Sequence, residues 1–244
     1  MKKATMVILC GATVLLLSSN ATAVVVFGDG GAALQGMLHS VTVDPVGNSS
    51  IDVLTDAMDD ADDSYWAVSA SGSSIATLVI ELAAVQQSGN IFGIFDLGNS
   101  FNRIPLFDGS GFFGSKTVTI LDDFSVWVNY MPAGNFSSNG FGYYLDTPAG
   151  VAWYSDTALN VDGMDHMMAY QGNDSDLLKL GMFPVGLFQA NEYILAFEDQ
   201  RADLPNYDDF VVLVESVTPV PEPTTIVLLG LGGLLLQKRR KMNH

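Results

Sequence analysis

Basic side chains are scarce in the interior of this sequence. Of 244 residues only 10 are Lys or Arg, against 27 Asp or Glu, and six of the ten lie at the two ends: Lys2, Lys3, Lys238, Arg239, Arg240 and Lys241. Between residues 24 and 223 only Arg103, Lys116, Lys179 and Arg201 stand against all 27 acids, a net charge of −23. Such a surface repels nucleic-acid phosphates and anionic lipid head groups, whose binding depends on Lys and Arg releasing counterions, so nucleic-acid binding is excluded. Cysteine is nearly absent too. Cys10 is the only one, and it falls in a segment that reads as a removable leader, so the mature chain has no disulfide. Histidine is limited to His39, His166 and His244, so a zinc site would have to be built largely from carboxylates. No stretch in the middle sustains an amphipathic helical period. With 48% hydrophobic residues the chain is nevertheless too apolar for a disordered acidic tail, and about 200 central residues suffice for one core-forming domain.

The ends carry what the middle lacks. Lys2 and Lys3 precede an apolar stretch at 4–17 and then Ala21-Thr22-Ala23, the pattern of a secretory signal cleaved by signal peptidase between Ala23 and Val24. A lipoprotein signal built on Cys10 is the rival, but bulky Leu9 precedes that cysteine where a small residue is expected. At the other end Pro221-Glu222-Pro223 is followed by an apolar segment at 226–236 and by Lys238-Arg239-Arg240-Lys241. The apolar segment is shorter than the roughly 20 residues of an ordinary membrane helix. It approaches spanning length when its polar neighbours sit at the interfaces and the cations snorkel. Cationic flanks stay cytoplasmic, which puts the acidic domain outside.

Val220-Pro221-Glu222-Pro223, a short hydrophobic segment and an Arg-rich end, in that order, resemble the PEP-CTERM sorting signal of exported Gram-negative proteins. The resemblance covers residues 220–241. It implies recognition by an exosortase, an integral-membrane cysteine protease that removes the hydrophobic tail, and an association with exopolysaccharide and biofilm. The expected organisation is therefore a signal peptide at 1–23, a β-rich extracellular domain at 24–217, and a proline-rich linker at 218–223 that holds the domain away from the membrane. A hydrophobic sorting helix at 224–237 and a basic cytoplasmic tail at 238–244 complete it.

Within the domain, short apolar bursts are separated by Gly, Asn, Asp, Ser and Pro. Strands are expected at 24–27, 74–84, 91–95, 117–121, 125–130, 141–145, 151–154, 167–170, 193–197 and 210–217, some with strict alternation, as at Val126, Val128 and Tyr130. Turn signals include Asp108-Gly109, Asn139-Gly140 and Asn99-Ser100. Many short strands bury their apolar faces by pairing two sheets, so the fold class is all-β, a single β-sandwich or jelly-roll-like domain. A short helix is expected near 32–38.

Asn90-Ile91-Phe92-Gly93-Ile94-Phe95-Asp96, Phe141-Gly142-Tyr143-Tyr144-Leu145, Tyr154-Ser155-Asp156, Asp165-His166, Phe197-Glu198-Asp199 and Tyr207-Asp208-Asp209-Phe210-Val211-Val212 resemble an uncharacterised secreted domain family. Its members end in a Phe-Glu-Asp, Asp, aromatic-Asn-Asp, Val signature and often accompany this sorting tail. The resemblance spans about 90–217, with Asp208 where Asn is more usual, and it implies a fold and a location without a biochemical activity.

Glu198, Asp199, Asp203, Asp208 and Asp209 place five carboxylates within twelve residues. Close carboxylates repel unless protonated, solvated or bridged, and calcium accepts about six to eight hard oxygen ligands. The loop therefore reads either as a calcium clamp or as a solvated acidic loop whose Asp residues form turns. A second run, Asp56, Asp59, Asp60, Asp62 and Asp63, lacks the glycine and terminal Glu of an EF-hand and reads as solvated surface, with weak cation binding as the alternative; Asp174 and Asp176 carry still less weight as ligands. His166 has no nucleophile or second histidine beside it and reads as a hydrogen-bonded structural residue. Trp66, Trp127, Trp153, Tyr143 and Tyr144 suit either a sugar-stacking platform or a core. The expected function is a non-enzymatic, exported cell-surface or extracellular-matrix protein with a calcium-stabilised acidic domain. Its expected partners are signal peptidase, exosortase and exopolysaccharide. The alternative is a carbohydrate-binding or carbohydrate-active module bearing the same address.

Overall fold

The computed structural model describes residues 27–68, 76–84, 89–108, 114–200 and 205–220. Residues 24–26 of the expected strand at 24–27, the signal-cleavage pair Ala23 and Val24, Asp203, and Pro221, Glu222 and Pro223 lie outside the described residues, and Phe27 is not in a strand. Among the described residues the first elements are helix α1 (Ala32–Val41) and strand β1 (Thr42–Asp44). The single turn α2 (Asp60–Asp63), β2 (Trp66–Val68), β3 (Ala76–Ala84), β4 (Ile91–Asp96) and β5 (Asn99–Phe107) follow. Next come β6 (Ser115–Ile120), β7 (Ser125–Val128), β8 (Met131–Asn135), β9 (Gly140–Asp146) and β10 (Ala152–Tyr154). The last are β11 (Met167–Gln171), β12 (Leu177–Leu178), β13 (Gly186–Leu187), β14 (Glu192–Phe197), β15 (Phe210–Glu215) and β16 (Val217–Pro219).

The fold is all-β, as composition and turn spacing require. Among the described residues, one antiparallel sheet has the order β11-β14-β15-β3-β6-β7-β8 and a second has β16-β2-β9-β4-β5, with β10 added alongside β9. Their inner faces form one core. Trp66, Phe92, Phe141, Tyr143 and Val217 from the second sheet meet Val118, Tyr193, Leu195, Phe210 and Val212 from the first. Strands β14 and β15 are continuously apolar over 193–197 and 210–214 because their other face is buried as well. Ile194, Ala196, Val211 and Leu213 pack there against Leu34 and Leu38 of α1, with Ile51, Val53 and Phe188. Leu34 and Leu38 are one helical turn apart, and Asp29 fixes the entry to α1 by accepting hydrogen bonds from the Gly31 and Ala33 amides. A small sheet, β1-β12-β13, flanks this layer.

Most expected strands appear within a residue or two, and four corrections are instructive. Asn99-Ser100 is not the turn but the start of β5, because the β4–β5 reversal falls at Leu97-Gly98, where Asp96 accepts from the Gly98 amide. The Pro-containing segments β5 and β8 were not expected as strands; each lies at an edge of its sheet, where a missing N–H is tolerated. The run 210–217 is broken at Ser216, whose φ of 60° turns the chain out of one sheet and into the other. Finally, the first three residues of the expected linker, 218–220, are part of the fold. Thr218 and Pro219 pair with Ala67 and Trp66, and the Val220 amide donates to the Tyr65 carbonyl at 2.8 Å. Proline discouraged a strand reading there, yet Pro219 ends an edge strand and so costs no ladder bond.

Candidate functional site

Strands β14 and β15 form a hairpin closed by the facing pair Phe197 and Phe210. The residues just beyond that pair are the acids Glu198, Asp199 and Asp209, and their carboxylate oxygens lie within 4.8 Å of one another. The hairpin register alone accounts for this meeting, since each acid is one or two residues past a paired phenylalanine. Asp208 is not part of the group; desolvation first, and then the charges of Asp29 and Glu198, raise its carboxyl pKa. Of the five expected ligands the structure therefore brings together three, and Asp203 is outside the described residues.

Each acid is held by specific donors. Glu198 Oε1 accepts from the Gln200 amide at 3.2 Å and Oε2 from the Asn206 amide at 2.9 Å. Asp209 Oδ2 accepts from the Asp199 amide at 3.0 Å. Asp199 Oδ2 accepts from Asn90 Nδ2 at 3.0 Å, while its carbonyl accepts from Trp153 Nε1 at 2.9 Å. Asp199 is only 6% exposed, and its Oδ1 has no hydrogen-bond partner. Burial first, and then the charges of Glu198 and Asp199, push the Asp209 carboxyl up to about 8, against the Asp199 amide, which works the other way.

The second sheet reaches the site through Asn90 and Trp153, which sequence reasoning did not place there. Asn90 immediately precedes β4 and is 1% exposed; its Oδ1 also lacks a partner. Its position at the head of an apolar run was a weak local signal, and nothing local tied it to Asp199, which is 109 residues away. Trp153 is stacked on His166 with ring centroids 3.6 Å apart and planes 6° from parallel. His166 Nδ1 lies 3.1 Å from the Glu198 carbonyl, an acceptor, so Nδ1 is the donor, and Nε2 faces Asp162 Oδ2 at 3.1 Å. His166 thus supports the backbone that carries the acids.

The other candidates are structural. Trp66, Trp153, Tyr143 and Tyr144 are buried, so the sugar-stacking platform does not form; Trp127 is half-buried and donates to Ser125. The run 56–63 is not uniformly solvated surface. Asp56, Asp59 and Asp62 are exposed, but the turn of α2 points Asp63 inward. Asp63 is 1% exposed, and neither of its carboxylate oxygens has a partner. Desolvation and then the neighbouring Asp165 and Asp60 raise its pKa well above the usual carboxylate range. Asp176 is likewise buried and accepts from Ser49 Oγ and the Ser50 amide, which ties β12 to the segment after α1.

Among the described residues no helix is long and apolar enough to cross a membrane. The family profile for the PEP-CTERM protein-sorting motif matches residues 219–241. The chain carries that motif, which implies a Gram-negative protein that is exported, held transiently in the membrane and processed by an exosortase. No curated protein and no solved structure matches the chain.

Proposed function

We propose that this chain, an exosortase substrate by its sorting motif, is a non-enzymatic component of the cell surface or extracellular matrix that works in association with exopolysaccharide. The observation that carries the reading is the join between motif and domain. The match begins at residue 219, inside β16, and Val220 is still hydrogen-bonded to Tyr65. The folded sandwich therefore leads straight into Pro221, Glu222 and Pro223, and tail removal frees a complete domain. Signal peptidase acts at Ala23–Val24, and the segment 224–237 anchors the chain while the domain folds outside.

Loss of both ends removes six cations and no acids, leaving the domain at −23. Repulsion among so many carboxylates works against the compact state and makes the surface a cation-holding one. Contact with polysaccharide then runs through hydroxyls and shared cations. A non-catalytic role is supported by His166, whose two ring nitrogens and one ring face are engaged by the protein itself.

Replacing Pro221, Glu222 and Pro223 by alanine tests the reading in the native host. The wild-type protein is expected in shortened form in the matrix fraction, and the variant at full length in the membrane fraction. Unchanged release of the variant would refute tail-directed processing. A shortened wild-type protein confined to the periplasm would refute the surface location.

A further inference from the structure

We propose that Glu198, Asp199 and Asp209, with Asn90 as a fourth ligand, bind one calcium ion that fastens the two sheets of the sandwich together. The acids lie at the closed end of the β14–β15 hairpin of one sheet, and Asn90 immediately precedes β4 of the other. A shared ion would therefore cross the gap between layers, the place where a disulfide often stands in exported domains and where residues 24–244 offer no cysteine.

Two buried atoms point to a ligand beyond the clustering of charge. Asp199 Oδ1 has no partner although its residue is almost fully enclosed, and Asn90 Oδ1 is in the same condition. Buried polar atoms are rarely left so. The Asn90 amide now presents Nδ2 to Asp199 Oδ2. A half-turn of the amide would bring its oxygen there instead, a repulsive arrangement that becomes favourable with a cation between the two oxygens. Glu198 accepts one backbone amide at each oxygen, and its carboxyl also faces that of Asp209 within hydrogen-bonding reach. Among the described residues neither ion pair, Arg103 with Asp146 or His166 with Asp162, involves this cluster.

The donor set selects the ion. Every ligand atom is a carboxylate or amide oxygen, which favours a hard cation over zinc or copper. Magnesium demands near-ideal octahedral geometry and keeps most of its water, whereas calcium tolerates irregular angles and fills its remaining positions with water or loop carbonyls. The proposal rests on the exported reading only for its supply of calcium, which is plentiful outside the cell.

The test uses the processed protein recovered from the culture, stripped with chelator, dialysed, and titrated with calcium or magnesium by calorimetry and thermal melting. Calcium at about a hundredfold excess over its dissociation constant should raise the melting temperature by about 5 to 10 °C with one site per chain, and magnesium much less. Asp199→Asn should weaken calcium binding more than tenfold while melting no lower than wild type in chelator, since it relieves repulsion. Asn90→Ala should weaken binding several-fold, and Asp56→Asn, in the exposed acidic run, should leave it unchanged. Absence of a calcium response in the wild type would overturn the proposal. So would an equal response to magnesium, or a full response in Asp199→Asn. None of these outcomes touches the sorting experiment, which reads location and length.

Discussion

Tyr143→Phe should stabilise this protein, although Tyr143 lies at the centre of its core. The residue is 0% exposed, and its hydroxyl has no hydrogen-bond partner. Its ring is stacked on Phe92 with centroids 5.7 Å apart and planes 15° from parallel, and it meets Trp66 and Phe141 edge-on. Phenylalanine keeps all three ring contacts. Leaving a buried hydroxyl unsatisfied costs about 1 to 3 kcal/mol. The void left by one oxygen returns only a few tenths of that, at about 24 cal/mol per Å³. The expected gain is about 1 to 2 kcal/mol, or a rise of about 2 to 8 °C in melting temperature for a domain of this size. Urea denaturation should show a higher midpoint with an unchanged slope, because the surface exposed on unfolding is the same. A loss of about 1 kcal/mol or more would refute the reasoning, since it would mean that the hydroxyl has a partner, such as an enclosed water.

Asp165 supplies a pH dependence. Desolvation, with a smaller push from Asp60 and against the Met167 amide, lifts its carboxyl from 3.8 to about 7. Between those values the folded chain keeps a proton that the unfolded chain has lost, so this group's contribution to stability falls as pH rises through the window and levels off above it. Urea midpoints measured from pH 4.5 to 8 should decline less steeply in Asp165→Asn, and an unaltered slope would argue against a raised carboxyl. Gly93 sits in β4 between β5 and β9, where an added Cβ would stand 2.3 Å from the Ile104 carbonyl oxygen and 2.7 Å from the Tyr144 ring. Gly93→Ala is expected to cost about 2 to 3 kcal/mol by overpacking, and a change below 0.5 kcal/mol on the same urea assay would contradict that close approach.

Much of the fold was legible because its signals are local. Alternation at Val126 and Val128 and the continuous run from Tyr193 to Phe197 mark strands by side-chain period alone. The edge strands β5 and β8 were not legible, because a proline inside a segment reads as a break until the neighbouring strand shows that its missing N–H faces no partner. Asp63 was misread for a related reason. Within a run of acids every residue looks solvated, and only the direction of one helical turn against β11 puts this carboxyl inside while Asp62 stays out.

The candidate site divides along the same line. The crowding of Glu198, Asp199 and Asp209 is visible in the sequence because a short hairpin must bring its ends together. The exclusion of Asp208 and the arrival of Asn90, Trp153 and His166 are not, since they depend on how two sheets register over separations of up to 109 residues. By itself the sequence determined the sorting motif, the charge of −23 between residues 24 and 223 and the all-β class, because short linear patterns and counts encode each of these. Only the tertiary structure decided which acids meet, which are buried, that the buried aromatics are core, and that the expected linker begins as a strand. Those outcomes follow from packing and cross-sheet pairing, which couple residues distant in the chain and leave no local mark.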